Sequence, residues 1–360
     1  MKNKIWYVIG LMSGTSLDGV DLVFAKFTKD QTYSFDILGK ESINYSEKWK
    51  KTLFDAFNFS GIELTKLNVD YGKFLGDLIN NFISKNKIKK VDFIASHGHT
   101  IYHQPKQNYT LQIGSGAVIA ETTNIKVICD FRVQDIALGG QGAPLVPVGD
   151  KYLFSVYDFC LNLGGFANIS FQDQDKRVAF DICPVNIVLN NYTRKVNLEY
   201  DDKGKLASQG IINKNLLEEL NQLVFYTDTK PKSLGYEFVI QTVLPIIDKY
   251  DLPLKTVLRT FIEHVAVQIS EVINKNRSGS KELNPKVLVT GGGAFNDFLI
   301  NRISYFSTVH IEVPEKEIID FKEALIFAFL GVLKDNNEVN CLKSVTGAKK
   351  DHSSGVVFNP

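Results

Sequence analysis

The sequence predicts an α/β chain of two lobes, and three observations carry that expectation. The chain has 360 residues, more than one ordinary hydrophobic core encloses. It opens on an apolar run, 5–12, that reads as a buried strand, followed by a turn of Ser, Gly, Thr and Asp and a second strand from Val20. The same theme of strand, paired glycines and strand returns at 159–171, around Gly164 and Gly165. The sharpest break is Gly139-Gly140-Gln141-Gly142-Ala143-Pro144-Leu145-Val146-Pro147, where glycines and prolines fit a crossing between lobes. The expected division is therefore 1–138 and 139–360, with the C-terminal tail free to pack back on the first lobe. The break is not a P-loop, because the Gly-Lys-Ser/Thr ending is absent.

The opening turn is the first candidate site. Glycines at 14 and 19 let the backbone bend sharply and approach a ligand. The residues Gly14, Thr15, Ser16, Leu17, Asp18, Gly19, Val20 and Asp21 supply hydroxyls and amides suited to phosphate oxygens, and carboxylates suited to a hydrated cation. A polar β-hairpin without a ligand is the plainer reading of any single Gly-Thr-Ser turn.

Further along, a third strand is expected at 34–38. Apolar residues from Leu64 to Ile83 recur at three- and four-residue steps and predict a long amphipathic helix. A short buried strand at 91–95 delivers His97, His99 and His103. No helical period places these histidines on one face and no further ligand pattern completes a zinc site, so a loop with polar side chains aimed into a cleft is the better reading. A strand at 109–113, a helix opened by Gly114-Ser115-Gly116 and a strand at 126–129 follow, the last ending in Asp130-Phe131-Arg132. Past the second glycine hairpin, a strand carries Asp181 to its end, ahead of Ile182-Cys183-Pro184-Val185-Asn186, and Pro184 suits a helix's first turn. Helical patterns dominate 213–276. A β-rich run at 286–290 ends in Gly291, Gly292 and Gly293. Those glycines fit either close approach of a flat ligand such as adenine or a tight packing turn. A last helix is expected at 321–333, before a polar tail.

Composition bounds the partners. Lysine plus arginine number 41 against 40 acidic residues, a formal net charge of +1, which recruits neither nucleic acid nor an anionic membrane. Four well-separated cysteines without a Cys-x-x-Cys pair read as reduced thiols of a cytoplasmic protein. No cleavage site follows the first apolar run, and no stretch approaches the roughly 18 apolar residues of a membrane span. The expectation is a soluble, cytoplasmic protein acting on a small molecule; a homodimer is left open.

The segments 10–21, 109–117, 130–132, 139–147, 163–168, 291–296 and 344–348, in that order, resemble the blocks of the anhydro-N-acetylmuramic acid kinase family. The resemblance covers nearly the whole chain. It implies the two-lobed actin-like fold of sugar kinases, Hsp70 and actin, with ATP between the lobes and Mg²⁺ as its counterion. It also implies a reaction in which water opens the bridge of 1,6-anhydro-N-acetylmuramic acid and the released O6 takes the γ-phosphoryl group, serving peptidoglycan recycling. Carried onto this chain, it points to Asp181 as general base, Glu323 as a second active-site carboxylate, His99 and Arg132 toward the sugar, and Asp18 toward the metal. ATP would lie against 14–21, Gly164, Gly165 and Gly291–Gly293. Asp181 also has a structural reading as a helix cap, and Arg132 as half of a salt bridge. The family's Asp-Thr-Gly-Pro-Gly-Asn stands here with Ile182, Cys183 and Val185 in place of the threonine and both glycines. Leu234 and Tyr236 likewise replace its threonine and arginine. A kinase of another sugar, or an ATP-binding regulatory homologue, are the competing readings.

Overall fold

A computed structural model describes residues 4–14, 17–227, 232–277, 285–307 and 309–360. The chain forms two compact units, one of residues 1–153 with 321–360 and one of residues 154–320. The division thus falls at 153/154, not at 138/139. The glycine cluster belongs to the first unit, where the buried Asp135 carboxylate accepts the Gly142 N–H at 2.7 Å and the Thr346 hydroxyl at 2.7 Å. Glycine marked a turn there, not a boundary.

The first unit contains β1 (Lys4–Ser13), β2 (Gly19–Lys29), β3 (Tyr33–Asn44), β4 (Phe93–Gln104), β5 (Tyr109–Ile113) and β6 (Val127–Cys129). The second contains β7 (Phe159–Leu163), β8 (Phe166–Asp173), β9 (Lys176–Pro184), β10 (Lys286–Thr290) and β11 (His310–Glu312). The chain ends with β12 (Val356–Phe358), which pairs antiparallel with β6 and ties down what reads in the sequence as a polar tail. The two sheets repeat one pattern. Order β3-β2-β1-β4-β6 in the first matches β9-β8-β7-β10-β11 in the second. In each, the first three strands are antiparallel neighbours and the last two join parallel.

Strand β1 shows why the first sheet is buried on both faces. Side chains alternate across a strand. Ile9 and Leu11 join the core formed with Leu67, Tyr71, Leu75 and Ile79 of the helix Gly61–Lys85. Gly10 points the other way, where a Cβ would lie 2.2 Å from the Ala324 carbonyl oxygen, so the helix Lys316–Asp335 packs directly on the strand backbone. Ser60 starts the long helix with a reciprocal capping box to Glu63. In the second unit, Phe159, Leu161 and Leu163 pack with Leu258, Phe261, Ile262 and Val265 of the helix Leu254–Asn276. Among the described residues no helix is long and apolar enough to cross a membrane.

The expected histidine loop is strand. β4 continues through Gln104, with an irregularity opposite β5; its His97 and His99 are buried, whereas His103 is exposed.

Candidate active site

In the first unit, β1 ends at Ser13 and the turn leads into β2. Thr15 and Ser16 lie outside the described residues, while Gly14 continues from the strand end. Leu17 takes a left-handed backbone (φ 61°), and the exposed Asp18 offers its carbonyl oxygen to the Tyr45 N–H at 3.1 Å. Gly19 has a packing reason: a Cβ would sit 2.2 Å from the Ile43 carbonyl oxygen. The Val20 side chain is in the core, and Asp21 accepts the Ser42 hydroxyl at 2.5 Å. Of the expected clasp, Asp18 therefore has an exposed carboxylate, and Val20 has only its backbone to offer a ligand.

Directly below the turn lies a buried network that sequence reading missed. The Tyr71 hydroxyl donates to Ser13 Oγ at 2.8 Å, Tyr45 OH lies 2.6 Å from Ser13 Oγ and 2.5 Å from Tyr71 OH, and His99 Nδ1 is 3.0 Å from Ser13 Oγ. Burial draws the His99 pKa down to about 4, so the ring is neutral at physiological pH. Tyr45 and Tyr71 are contributed from 32 and 58 residues beyond Ser13, which no local motif reveals.

Arg132 is held by β4 and the glycine turn. Its Nε–H donates to His97 Nε2 at 3.0 Å and its Nη1–H to the Gly142 carbonyl at 2.7 Å. The guanidinium also lies 5.8 Å from the Phe327 ring centre. Arg132 is always a donor, so His97 Nε2 must accept and its Nδ1–H donates to the Gly98 carbonyl at 2.8 Å. Burial, aided by the Arg132 charge, pushes the His97 pKa to about 3 and keeps that tautomer uncharged. Glu323 stands on the helix Lys316–Asp335 and is exposed. The protein around its carboxyl nonetheless raises its pKa, with Arg132 and Lys322 pulling it back and Asp21 pushing the same way. The first unit thus brings Arg132, His97 and Glu323 into one electrostatic group, with His99 on the Ser13 network.

In the second unit the other predicted residues converge. Asp181 lies on β9, opposite Asn168 at a bulge that leaves Ile182 unpaired. Its N–H donates to the Lys232 carbonyl at 2.9 Å, and Oδ2 accepts the Leu234 N–H at 2.8 Å. Burial raises the carboxyl pKa, and the Leu234 bond only partly offsets it. Asn186 begins the next helix: its N–H reaches the Gly164 carbonyl at 3.3 Å and its Nδ2 the Leu163 carbonyl at 3.2 Å. The Val185 and Ile187 N–H groups both donate to Gly165 O, at 2.7 and 3.3 Å. Gly291 (φ 81°) and Gly293 pack on Asn162 and Leu163, with a Cβ at 293 only 2.7 Å from Leu163 Cβ, whereas Gly292 has nothing nearer than Asn186 Nδ2 at 3.9 Å. Of the three glycines, 291 and 293 serve close packing and 292 is the one left open. Gly164–Gly165, Asn186 and Gly291–Gly293 form one glycine-lined corner of the unit.

Two units that repeat a single strand order define an actin-like α/β fold of the ATPase and sugar-kinase class. The anhydro-N-acetylmuramic acid kinase family profile matches residues 6–360, and the chain belongs to that family. Curated relatives bearing the name anhydro-N-acetylmuramic acid kinase include that of Clostridioides difficile, 36% identical over 95% of this chain and 96% of its own. That of Photobacterium profundum is 33% identical over 97% of this chain and 98% of its own. Among solved structures, the activator of the 2-hydroxyisocaproyl-CoA dehydratase from Clostridium difficile with bound ADPNP aligns over 92% of this chain and 97% of its own. It does so at 12% identity and a TM-score of 0.45.

Proposed function

We propose that the chain opens 1,6-anhydro-N-acetylmuramic acid with water and phosphorylates the freed O6 from ATP, with Asp181 as the base that serves both halves. The reading rests on family membership for the reaction and, for the residue, on one observation: Asp181 presents a desolvated carboxylate oriented by the Leu234 N–H. Fixing one oxygen and raising the pKa are what a positioned base requires. Asp181 takes a proton from water while the water oxygen bonds to the anomeric carbon. The C1–O6 bond breaks, O6 bonds to the γ-phosphorus of ATP, and the bond from that phosphorus to ADP breaks. The proton on Asp181 returns to solvent, so anhydro-sugar, water and ATP give N-acetylmuramic acid 6-phosphate, ADP and a proton.

Attack at the anomeric carbon has oxocarbenium character, and phosphoryl transfer depends on positioning and charge neutralisation. Arg132, oriented by His97 and Gly142, suits a carboxylate or phosphate oxygen of the sugar side. His99, neutral and held through Nδ1, leaves Nε2 for a sugar hydroxyl. Glu323 sits beside Arg132 in charge if not in contact, and completes the polar lining. On the nucleotide side, Gly14, the backbone of Leu17 to Val20 and the Asp18 carboxylate suit the phosphates and their cation, Gly164 and Gly165 suit a second phosphate-facing turn, and Gly291–Gly293 suit the adenine. An exposed carboxylate oxygen is the donor Mg²⁺ prefers, and Asp18 supplies one; bound there with ATP, Mg²⁺ would neutralise phosphate charge. The product made in ¹⁸O water tests the reaction: the label belongs at the anomeric hydroxyl and not in the phosphate. Label in the phosphate, or no product from the anhydro-sugar, would refute it.

A further inference from the structure

Next to Arg132, whose charge acts on Cys341 and Asp135, three side chains of different chemistry that the proposed reaction does not use converge in the first unit. Asp135, Cys341 and His352 are all buried, and their candidate ligand atoms lie within 4.8 Å of one another. Backbone pairing brings two of them together. Cys341 and His352 exchange both N–H···O=C bonds, each at 3.1 Å, so their side chains leave the same face. Asn340 braces this bridge, with Nδ2 donating to the Leu330 and Ser354 carbonyls and Oδ1 accepting the Ser354 N–H. Asp135 arrives from the helix Val133–Ala137.

The histidine supplies the decisive detail. His352 Nδ1 lies 3.1 Å from the Lys350 carbonyl oxygen, which only accepts, so Nδ1 carries the hydrogen. In the neutral ring Nε2 therefore holds a lone pair. That atom is buried without a hydrogen-bond partner, and it faces Asp135 Oδ1 at 3.6 Å, too far for a hydrogen bond. A lone pair aimed at a buried carboxylate oxygen calls for a positive charge between them. A backbone carbonyl on Nδ1 is also how metal-binding histidines are usually oriented.

We propose that Asp135 Oδ1, Cys341 Sγ and His352 Nε2 form a buried zinc site that staples the segment 341–352 to the turn 139–142. Thiolate and imidazole together favour zinc over magnesium or calcium. Zn²⁺ with one thiolate, one carboxylate and a neutral imidazole carries no net charge, so it adds no further ion beside the Arg132 and Lys334 charges that already act on Cys341. With bonds of about 2.0 Å to nitrogen and oxygen, a tetrahedral N···O edge is about 3.3 Å, so the observed 3.6 Å needs little contraction. The fourth position falls to water or to the buried Ser354 hydroxyl beside Cys341. Binding forms the Zn–S bond and expels the thiol proton to solvent.

The test uses the full chain, incubated with Zn²⁺ and gel-filtered before metal analysis. The wild type should retain one zinc per chain, Cys341→Ser and His352→Gln should each bind at least about 100-fold more weakly, and Cys129→Ser should be unaffected. Chelation should lower the melting temperature of the wild type and leave those of the two ligand variants unchanged. In the wild type, Co²⁺ should give tetrahedral d–d bands and a thiolate charge-transfer band, which decides the matter even if Cys341→Ser fails to fold. Zinc lost on gel filtration, zinc retained by both variants, or a Co²⁺ spectrum without thiolate charge transfer would each overturn the site. A doubly protonated His352 ring in the metal-treated protein would do the same, marking a simple imidazolium–carboxylate pair.

Discussion

Replacing Asp181 by Asn separates a catalytic base from a structural anchor, because the two roles predict opposite effects on stability. The substitution keeps shape and leaves the amide oxygen to accept the Leu234 N–H, now 2.8 Å from Oδ2. It removes the base, so turnover of the anhydro-sugar should fall by roughly 10²–10⁴-fold, or about 2.7–5.4 kcal/mol at 1.36 kcal/mol per decade. The raised pKa of Asp181 fixes the sign for folding. A carboxyl whose folded pKa exceeds its unfolded value, about 3.9, contributes stability below that value and loses it as pH rises through the folded pKa. At neutral pH the ionised, desolvated group therefore costs stability, and Asp181→Asn should melt no lower than wild type, with its relative gain appearing as pH rises above about 4. The raised pKa also places the acid limb of the wild-type kcat/KM profile above the ordinary carboxylate range. Turnover is followed by ADP release and melting by circular dichroism across pH. Unchanged turnover removes Asp181 from the reaction. Equal losses of turnover and melting temperature would make it an anchor of the 232–234 segment instead.

Three further outcomes follow from the geometry. Gly293→Ala should lose about 1–3 kcal/mol in urea denaturation, because its Cβ would stand 2.7 Å from Leu163 Cβ, while Gly292→Ala, with 3.9 Å of clearance, should fold normally and raise the KM for ATP; equal destabilisation by both would reject the division of roles. Glu263 is buried and takes Arg302 at 2.8 and 2.5 Å with Arg259 at 3.5 Å, so Glu263→Ala should cost about 3–5 kcal/mol by denaturation with little change in KM at temperatures where it stays folded. His97→Ala frees Arg132 Nε and should raise the KM for the sugar while leaving that for ATP near wild type; parallel changes in both would show that Arg132 does not face the sugar.

What was legible in the sequence was local. Alternating or continuous apolar runs marked β1, β5, β7 and β10, and the 3.6-residue period marked the helix Gly61–Lys85, because each element's own residues encode its buried face. The repeat of strand, glycines and strand was visible twice, and the matched strand orders give it a structural basis. What was hidden was long-range. Nothing in the neighbourhood of Arg132 announces His97, 35 residues earlier, as its acceptor. Only the fold brings the hydroxyls of Tyr45 and Tyr71 onto Ser13. Glycines hid a long-range reason of the same kind: the Ile43 carbonyl excludes a Cβ at 19, and Asp135 pins the turn 139–142.

The turn after Asp181 departs most from the family pattern that the sequence resembles, and its geometry argues that the departure concerns packing more than chemistry. Ile182, Cys183 and Val185 are 2%, 0% and 0% exposed and belong to the core with Val188 and Leu189. The groups that hold the carboxylate lie outside them: Lys232 and Leu234 bond Asp181, while Asn186 is fixed to Gly164 and Leu163. Restoring the family residue with Val185→Gly should therefore destabilise the protein without speeding it. Three buried carbons at about 0.8 kcal/mol each, with a further 0.5–1 kcal/mol or so for glycine's unfolded freedom, give about 3 kcal/mol. The Val185 N–H still reaches the Gly165 carbonyl, so kcat measured below the variant's melting transition should stay within about twofold of wild type. Denaturation curves and steady-state turnover on the same preparation check both halves. A tenfold rise in kcat with no loss of stability would show instead that the altered turn holds Asp181 back from its task.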